Sequence, residues 1–283
     1  MANPCLYLHE TIDIVGTGSE AYKAHTGALG TNRTDGGAPL VGTWQQSGST
    51  GAWPKVANLW EMRGWDHWAE ILARQYTRAS GQERKLGRWW KEATTFRSGG
   101  FDRILEPAPF SPTRAELVER GVRGLACLQE IATVKPGTAE RYLDALASRW
   151  IDVAARRGLT LLGAWRTAMR DTEAVVLWSL PTFADFTRHL GTLGADRATR
   201  AWLEHAREWR VDYREMLLVP SVWCVTHPDW REAVSRGQVY GHPAWEDAIE
   251  WEHLEAYLGQ LKELRSRVRS SAAPVGSSDA PAI

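Results

Sequence analysis

Cysteine is scarce. Cys5, Cys127 and Cys224 are the three in 283 residues, and this odd, widely spaced set excludes a disulfide framework and a CxxC metal site. All three stand in apolar or aromatic runs, so buried, unreactive thiols are expected. Net charge is also missing, because 34 Lys+Arg balance 34 Asp+Glu. Neither nucleic acid nor an anionic membrane surface is then an expected partner, since both select a positive surplus. No run reaches the roughly 18 apolar residues of a membrane span. The start MANPCLYLHE lacks the basic and apolar regions of a secretory signal, so a cytoplasmic protein is expected. No HxH, HExxH or two-His-one-carboxylate spacing occurs, and no metal is expected. Gly16-Thr17-Gly18 lacks the rest of a dinucleotide or phosphate loop, and there is no GxSxG elbow.

Tryptophan is plentiful. There are 16 Trp against 5 Phe and 7 Tyr, in a chain that is 43% hydrophobic and 24% charged, an ordinary globular balance. Indoles bring large apolar area and an N–H that needs a partner when buried. They serve either a Trp-rich core or a cavity walled by indoles for a flat, apolar ligand.

An internal repeat organises the chain. CLYLHETIDIVGTGSEAYKAH near the start matches LACLQEIATVKPGTAERYLDAL, pairing Leu8 with Leu128, Glu10 with Glu130, Glu20 with Glu140 and Tyr22 with Tyr142. Further on Gly42 and Trp44 match Gly163 and Trp165, Leu59 and Trp60 match Leu177 and Trp178, and Pro107 matches Pro220. Four blocks in the same order indicate a tandem duplication. Each copy reads as strand, helix, strand, strand, helix, strand, the ferredoxin-like βαββαβ unit. In the second copy Lys135-Pro136-Gly137 closes the first strand. Thr138 then caps a helix with apolar positions Tyr142, Leu143, Leu146, Trp150 and Val153, which Gly158 ends. Arg170-Asp171-Thr172-Glu173 makes a hairpin turn, Pro181 opens the next helix, and MLLVPSVWCV is the last strand.

The expected architecture is α+β: tandem ferredoxin-like repeats, each a sheet with helices on one face, closing on each other as an intramolecular dimeric α+β barrel. The repeats span residues 1–118 and 119–225, followed by a helical extension over 226–268, with a helix from Trp245 to about Val268, and a disordered tail over 269–283. The helix docks on its own domain or pairs two chains in a homodimer. Residues 191–213 read as an amphipathic helix. The basic run KLGRWWK reads as a loop clamped onto the domain.

The KPG-like turn after a first strand, the Gly-x-Trp strand, the Val-x-Leu-Trp strand and the tandem arrangement resemble the NIPSNAP family, within the dimeric α+β barrel superfamily. The resemblance covers both repeats and is structural rather than catalytic. The first copy departs from it, with Val15-Gly16-Thr17-Gly18 for KPG and a Gly-rich loop from His25 to Pro39 where a helix should continue. The third-strand positions where family members often carry a histidine are here Asn58 and Val176. The resemblance implies a superfamily of cofactor-free oxygenases, isomerases, lyases and haem enzymes, whose ligands lie against the sheet inside the barrel.

Strand alternation yields two sets of candidate catalytic residues. Tyr7, His9 and Thr11 share one face, with Cys127, Gln129 and Ile131 as counterparts. Leu8, Glu10 and Ile12 share the other, with Leu128, Glu130 and Ala132. If the first set lines the cavity, His9 is the acid/base. If the second does, Glu10 and Glu130 form a carboxylate pair. Trp44, Trp60, Trp165 and Trp178 are core or cavity walls, and Gln46 and Asn58 share their faces as orienting polar groups. The expected function is a small-molecule enzyme acting by acid/base chemistry on an apolar or aromatic substrate in a Trp-lined barrel cavity. It would be a lyase, isomerase or cofactor-independent oxygenase, with Tyr7, Trp44, Gln46, Asn58, Trp60, Gln129, Trp165 and Trp178 around the substrate. The alternatives are a haem enzyme, a dehydratase or peroxidase ligated by His189 or His205, and a non-catalytic NIPSNAP-like binding protein. His227, His242 and His253 are expected at the surface or in caps.

Overall fold

A computed structural model describes residues 3–31, 37–76 and 81–236. The first repeat runs β1 (Leu6–Ile14), α1 (Ser19–Thr31), β2 (Leu40–Gln46), β3 (Lys55–Met62), α2 (Trp65–Tyr76), α3 (Gly81–Ala93) and β4 (Arg97–Pro107). After α4 (Arg114–Glu119) the second runs β5 (Ala126–Val134), α5 (Ala139–Arg149), α6 (Ile151–Arg156), β6 (Thr160–Thr167), β7 (Glu173–Leu180), α7 (Phe183–Gly191), α8 (Arg197–Arg207) and β8 (Arg210–Pro220). Within the extension, α9 covers Trp230–Arg236. The helix expected from Trp245 and the tail lie outside the described residues.

The eight strands close into one antiparallel barrel in the order β1-β3-β2-β8-β5-β7-β6-β4. Each repeat supplies four strands, and two short seams join them. Trp44, Gln45 and Gln46 pair with Pro220, Val219 and Leu218, while Leu105, Glu106 and Pro107 pair with Thr167, Arg166 and Trp165. The duplicated prolines Pro107 and Pro220 stand opposite the duplicated tryptophans Trp165 and Trp44. A proline cannot donate to a ladder, and the next residue donates across each seam instead, Ala108 N to Ala164 O at 2.9 Å and Ser221 N to Thr43 O at 3.1 Å.

Strand alternation separates two kinds of core. Inward-facing Tyr7, Trp44, Leu59, Leu105, Cys127, Trp165, Leu177 and Leu218 from both repeats pack inside the barrel. The Gly-x-Trp spacing has a steric origin there. A Cβ on Gly163 would lie 2.0 Å from Cζ2 of Trp165, and one on Gly42 would lie 2.4 Å from Cη2 of Trp44. Each indole therefore folds back over the glycine two positions before it.

The outward face of the second sheet carries one continuous core, from Leu128, Ala132, Val176 and Trp178 to Tyr142, Leu146, Trp150 and Trp202 on the helices. On the first sheet the corresponding layer is split. Leu6, Leu40, Trp60, Met62 and Ile104 form one cluster, and Ile12, Ile14, Tyr22, Val56 and Ala93 another.

Several local expectations are corrected. The stretch from His25 is helical through Thr31, because Gly27 and Gly30 let α1 approach closely: Cβ atoms there would lie 2.2 Å from Trp223 and 2.5 Å from Leu40. KLGRWWK belongs to α3, not to a loop. Thr138 sits at a helix start, but its hydroxyl donates to the Lys135 carbonyl at 2.6 Å rather than capping. The helix it opens breaks at Trp150 into α5 and α6. The helix expected to open at Pro181 begins at Phe183, after Thr182, whose capping box with Asp185 opens α7. Glu173 is the first residue of β7, not part of the turn. The last strand begins at Arg210 and stops at Pro220, so Ser221–Val225 is not strand. His227 is buried, with Nδ1 accepting from the Asp229 amide. Cys127 and Cys224 are buried as expected, but Cys5 is only partly so.

Candidate functional site

The residues singled out from sequence fall into three places. His9 and Gln129 lie inside the barrel and meet across it, with His9 Nε2 3.2 Å from Gln129 Oε1. The amide oxygen accepts, so Nε2 carries the proton and Nδ1 the lone pair; Nδ1 is buried without a partner. Burial, aided by the charge of Arg103, lowers the pKa of His9 to about 4, so the ring is neutral at physiological pH. Tyr7 is also inward, packs edge-on against Trp165 and donates to Glu61 Oε2 at 2.8 Å. Trp44, Trp165 and Gln46 are buried on the same inward face. The N–H groups of Trp44 and Trp165 lack an oxygen acceptor, that of Trp44 being turned toward the Cys127 thiol.

Glu10 and Glu130 are not brought together. Each faces the helices of its own repeat, because residues 10 and 130 alternate with the inward His9 and Gln129. Each binds the duplicated tryptophan of its own third strand: Trp60 Nε1 donates to Glu10 Oε2 at 2.7 Å, and Trp178 Nε1 to Glu130 Oε1 at 2.8 Å. Trp60 and Trp178 therefore belong to the sheet–helix layers, not to a barrel cavity.

Around these two matched pairs the repeats diverge. In the second, Arg210 donates to Tyr142 Oη at 2.7 Å, lies 3.9 Å from Glu130 Oε2 and stacks on Tyr213 at 3.5 Å. Burial pushes the Glu130 carboxyl up to about 7, against the pull of Arg210. Along the strand register Glu130 stands between Val176 on β7 and Glu215 on β8, with Ala164 beyond Val176; Val176 and Ala164 are buried and apolar, and Glu130 Oε2 makes no hydrogen bond.

In the first repeat the same register row is polar. Thr43, Asn58, Glu10 and Asp102 stand side by side on β2, β3, β1 and β4. This row divides the first repeat's layer into two clusters; it is buried at Thr43, Asn58 and Glu10 and exposed at Asp102. Asn58 Nδ2 donates to Glu10 Oε2 at 3.0 Å and to Tyr22 Oη at 3.1 Å. Three buried polar atoms here have no partner: Thr43 Oγ1, Asn58 Oδ1 and Arg97 Nη1. Arg97 is the counterpart of Arg210, since the first pairs with Ile14 and the second with Val134. Gly99 and Gly100 stand where the second repeat has Asp212 and Tyr213, so no ring lies under Arg97 in that position. Its guanidinium instead lies 5.0 Å from the Trp90 ring.

Native proteins seldom leave buried polar atoms unpaired, since each costs about 1–3 kcal/mol. Two in one row, with a third on the guanidinium of the same layer, are what a ligand-binding surface presents. Burial raises the Glu10 carboxyl above the ordinary range, although the Trp60 and Asn58 donors pull it down. Both donors fall on Oε2, so Oε1 is the oxygen suited to exchange a proton. Tyr22 is pushed up to about 12, mainly by burial, so its hydroxyl is neutral.

Sequence reasoning found Glu10, Asn58 and Trp60 but not Thr43 or Arg97. Arg97 had a signal, the match with Arg210 at the same spacing as Pro107 with Pro220. Thr43 had one in its contrast with Ala164. A second missed group lies inside the barrel: Arg103 Nε donates to Glu173 Oε1 at 2.8 Å, and Thr167 Oγ1 to the same oxygen at 2.8 Å. Its signal was the alternation Phe101, Arg103, Leu105 along β4.

Haem ligation by His189 or His205 does not fit. Arg157 Nε lies 3.3 Å from His189 Nδ1, and the buried ring packs beside Trp150. His205 has Trp209 Nε1 3.5 Å from Nε2 and Glu208 3.4 Å from Nδ1. The layer between them is filled by the stacked Trp150 and Trp202, 5.9 Å apart. Among the described residues, no group of three or more His, Cys, Asp or Glu is placed to hold a metal ion, and no helix is long and apolar enough to cross a membrane.

No protein-family model matches the sequence, and no curated protein matches it. Solved structures do resemble the fold. A candidate monooxygenase from Lactobacillus acidophilus NCFM is 10% identical with a TM-score of 0.52, over 77% of this chain and 94% of its own. An anthrone oxidase-like protein is 9% identical with a TM-score of 0.54, over 78% and 94%. A NIPSNAP family protein from Agrobacterium tumefaciens is 17% identical with a TM-score of 0.32, over 35% of this chain and 88% of its own. At these identities the likeness is one of fold. The chain has the ferredoxin-like, dimeric α+β barrel architecture, with both halves of the barrel in one polypeptide.

Proposed function

We propose that the chain is a small-molecule enzyme whose acid/base chemistry takes place in the sheet–helix layer of the first repeat, with Glu10 as the proton acceptor. The observation that carries this reading is the polar row. Thr43 and Asn58 replace Ala164 and Val176 of the other repeat, and three buried atoms around them await partners. A substrate entering past Asp102 meets Glu10 Oε1 as base. Arg97 Nη1 is the donor for an oxygen that gains negative charge, and Asn58 Oδ1 and Thr43 Oγ1 accept from its hydroxyl groups. A carboxylate held out of water is a stronger base than one in solution, which is what removal of a weakly acidic proton requires. Trp60 and Asn58 hold the carboxylate in place through Oε2.

Within this class we favour a cofactor-independent oxygenase acting on an aromatic substrate with an acidic C–H. The candidate monooxygenase and the anthrone oxidase-like protein of the same fold support that choice. Glu10 would take one proton from the methylene, and the resulting carbanion, its charge spread onto the oxygen facing Arg97, would reduce dioxygen. The atoms balance: the methylene carbon gives up both hydrogens and gains one oxygen atom as a carbonyl. The other oxygen atom of dioxygen leaves with those two hydrogens as water. The test is oxygen uptake with anthrone, comparing the wild type with Glu10→Gln and Glu130→Gln. Loss of most turnover in Glu10→Gln, with Glu130→Gln unaffected, is expected. Equal turnover in all three proteins would overturn the assignment.

A further inference from the structure

The barrel interior holds a second polar group that the proposed chemistry does not use. Glu173 accepts from Arg103, Thr167 and Arg170, the last at 3.4 Å. Two guanidinium groups thus share one carboxylate; the other acid near Arg103 is the exposed Asp102 on the opposite face of β4, so the inward face keeps a surplus positive charge. The Phe101 ring lies beside both, 4.5 Å from Arg103 Cζ and 5.1 Å from Arg170 Cζ. Phe101 is 43% exposed, so this is a mouth of the barrel. Opposite Arg103 in the strand register stands His9, 4% exposed, with Nδ1 buried and unpartnered. Nδ1 is an acceptor, because Nε2 is committed as a donor to Gln129.

We propose that this mouth is a binding site, separate from the Glu10 layer, for an aromatic hydroxy acid. The carboxylate would meet the surplus charge at Arg170 and Arg103, the ring would lie on Phe101, and the hydroxyl would donate to His9 Nδ1. Each part of the ligand answers one unmet property of the site: an uncompensated cation, an exposed aromatic face and a buried lone pair.

The test is calorimetric titration of the full chain with three probes: mandelate, phenylacetate without the hydroxyl, and benzyl alcohol without the carboxylate. Mandelate is expected to bind about tenfold more tightly than either, the increment of one well-made hydrogen bond or ion pair in a partly buried site. Arg170→Gln, at an exposed position, should erase the preference over benzyl alcohol and keep that over phenylacetate. His9→Leu should do the reverse. Glu10→Gln should change neither preference, which separates this site from the layer proposed above. Failure of mandelate to bind at millimolar concentration would overturn the proposal. So would preferences that Arg170→Gln leaves intact.

Discussion

Replacing Glu130 with Gln should flatten the dependence of stability on pH, and the size of the effect follows from its surroundings. The Glu130 carboxyl is fully enclosed, and burial raises its pKa from 4.5 to about 7. The native state therefore keeps a proton that the unfolded chain gives up, and stability falls as pH rises through that window. The whole difference is worth roughly 3 kcal/mol, of which about 2.5 kcal/mol is lost between pH 5 and pH 8. Glu10 shifts in the same direction, but it is present in both proteins and cancels in the comparison. The depressed carboxyls of Glu173 and Asp196 titrate below this window. Urea unfolding followed by tryptophan fluorescence, at pH 5 and pH 8, gives the four free energies needed. The wild type should lose about 2.5 kcal/mol more than Glu130→Gln over that interval. Equal losses would refute the reasoning and imply that Arg210 keeps Glu130 ionised throughout.

Gly163→Ala drives a Cβ into the fully buried Trp165 ring and should cost about 2 kcal/mol or more in thermal unfolding, part of which Trp165→Leu in the same chain should restore. An unchanged melting temperature would contradict the packing argument. In nitrogen NMR, His9 should remain neutral from pH 5 to pH 8, because its pKa is lowered to about 4. Arg103→Met removes one cause of that lowering, so it should move the titration upward and destabilise the fold by about 1–2 kcal/mol, since Glu173 loses one donor but keeps Thr167 and Arg170. With a thiol reagent at pH 8, Cys5 should label first, although its pKa is raised to about 11, whereas Cys127 and Cys224 should wait for unfolding. Simultaneous labelling of all three would contradict their burial.

The barrel was legible in the sequence because duplication made it redundant. Matched Glu, Trp and Pro positions in one order specify two copies of one unit, and two half-covered sheets must cover each other. The facing of the first strands was not legible, since Tyr7-Leu8-His9-Glu10 alternates in burial-compatible residues on both faces. Only the closure of the barrel put His9 inside and Glu10 outside. The helix through Gly27 and Gly30 was missed because glycine reads as a breaker, whereas here its lack of a side chain admits Trp223 and Leu40. Arg103 and Glu173 are distant in sequence and become partners only when β4 and β6 pair at the seam. The polar row was half visible. Asn58 against Val176 was noticed, but its meaning depended on the register that sets it beside Thr43 and Glu10.

The first repeat carries polar Thr43 and Asn58 where the second has buried Ala164 and Val176, and a ligand is proposed to meet them there. This proposal is tested most directly by titrating anthrone, without oxygen, into the wild type, Asn58→Val and Glu130→Gln, and reading tryptophan quenching. Glu130→Gln should bind as the wild type does, and Asn58→Val, which gives the first repeat the residue of the second, should weaken binding at least about tenfold. Binding untouched by Asn58→Val, or lost in Glu130→Gln, would contradict it.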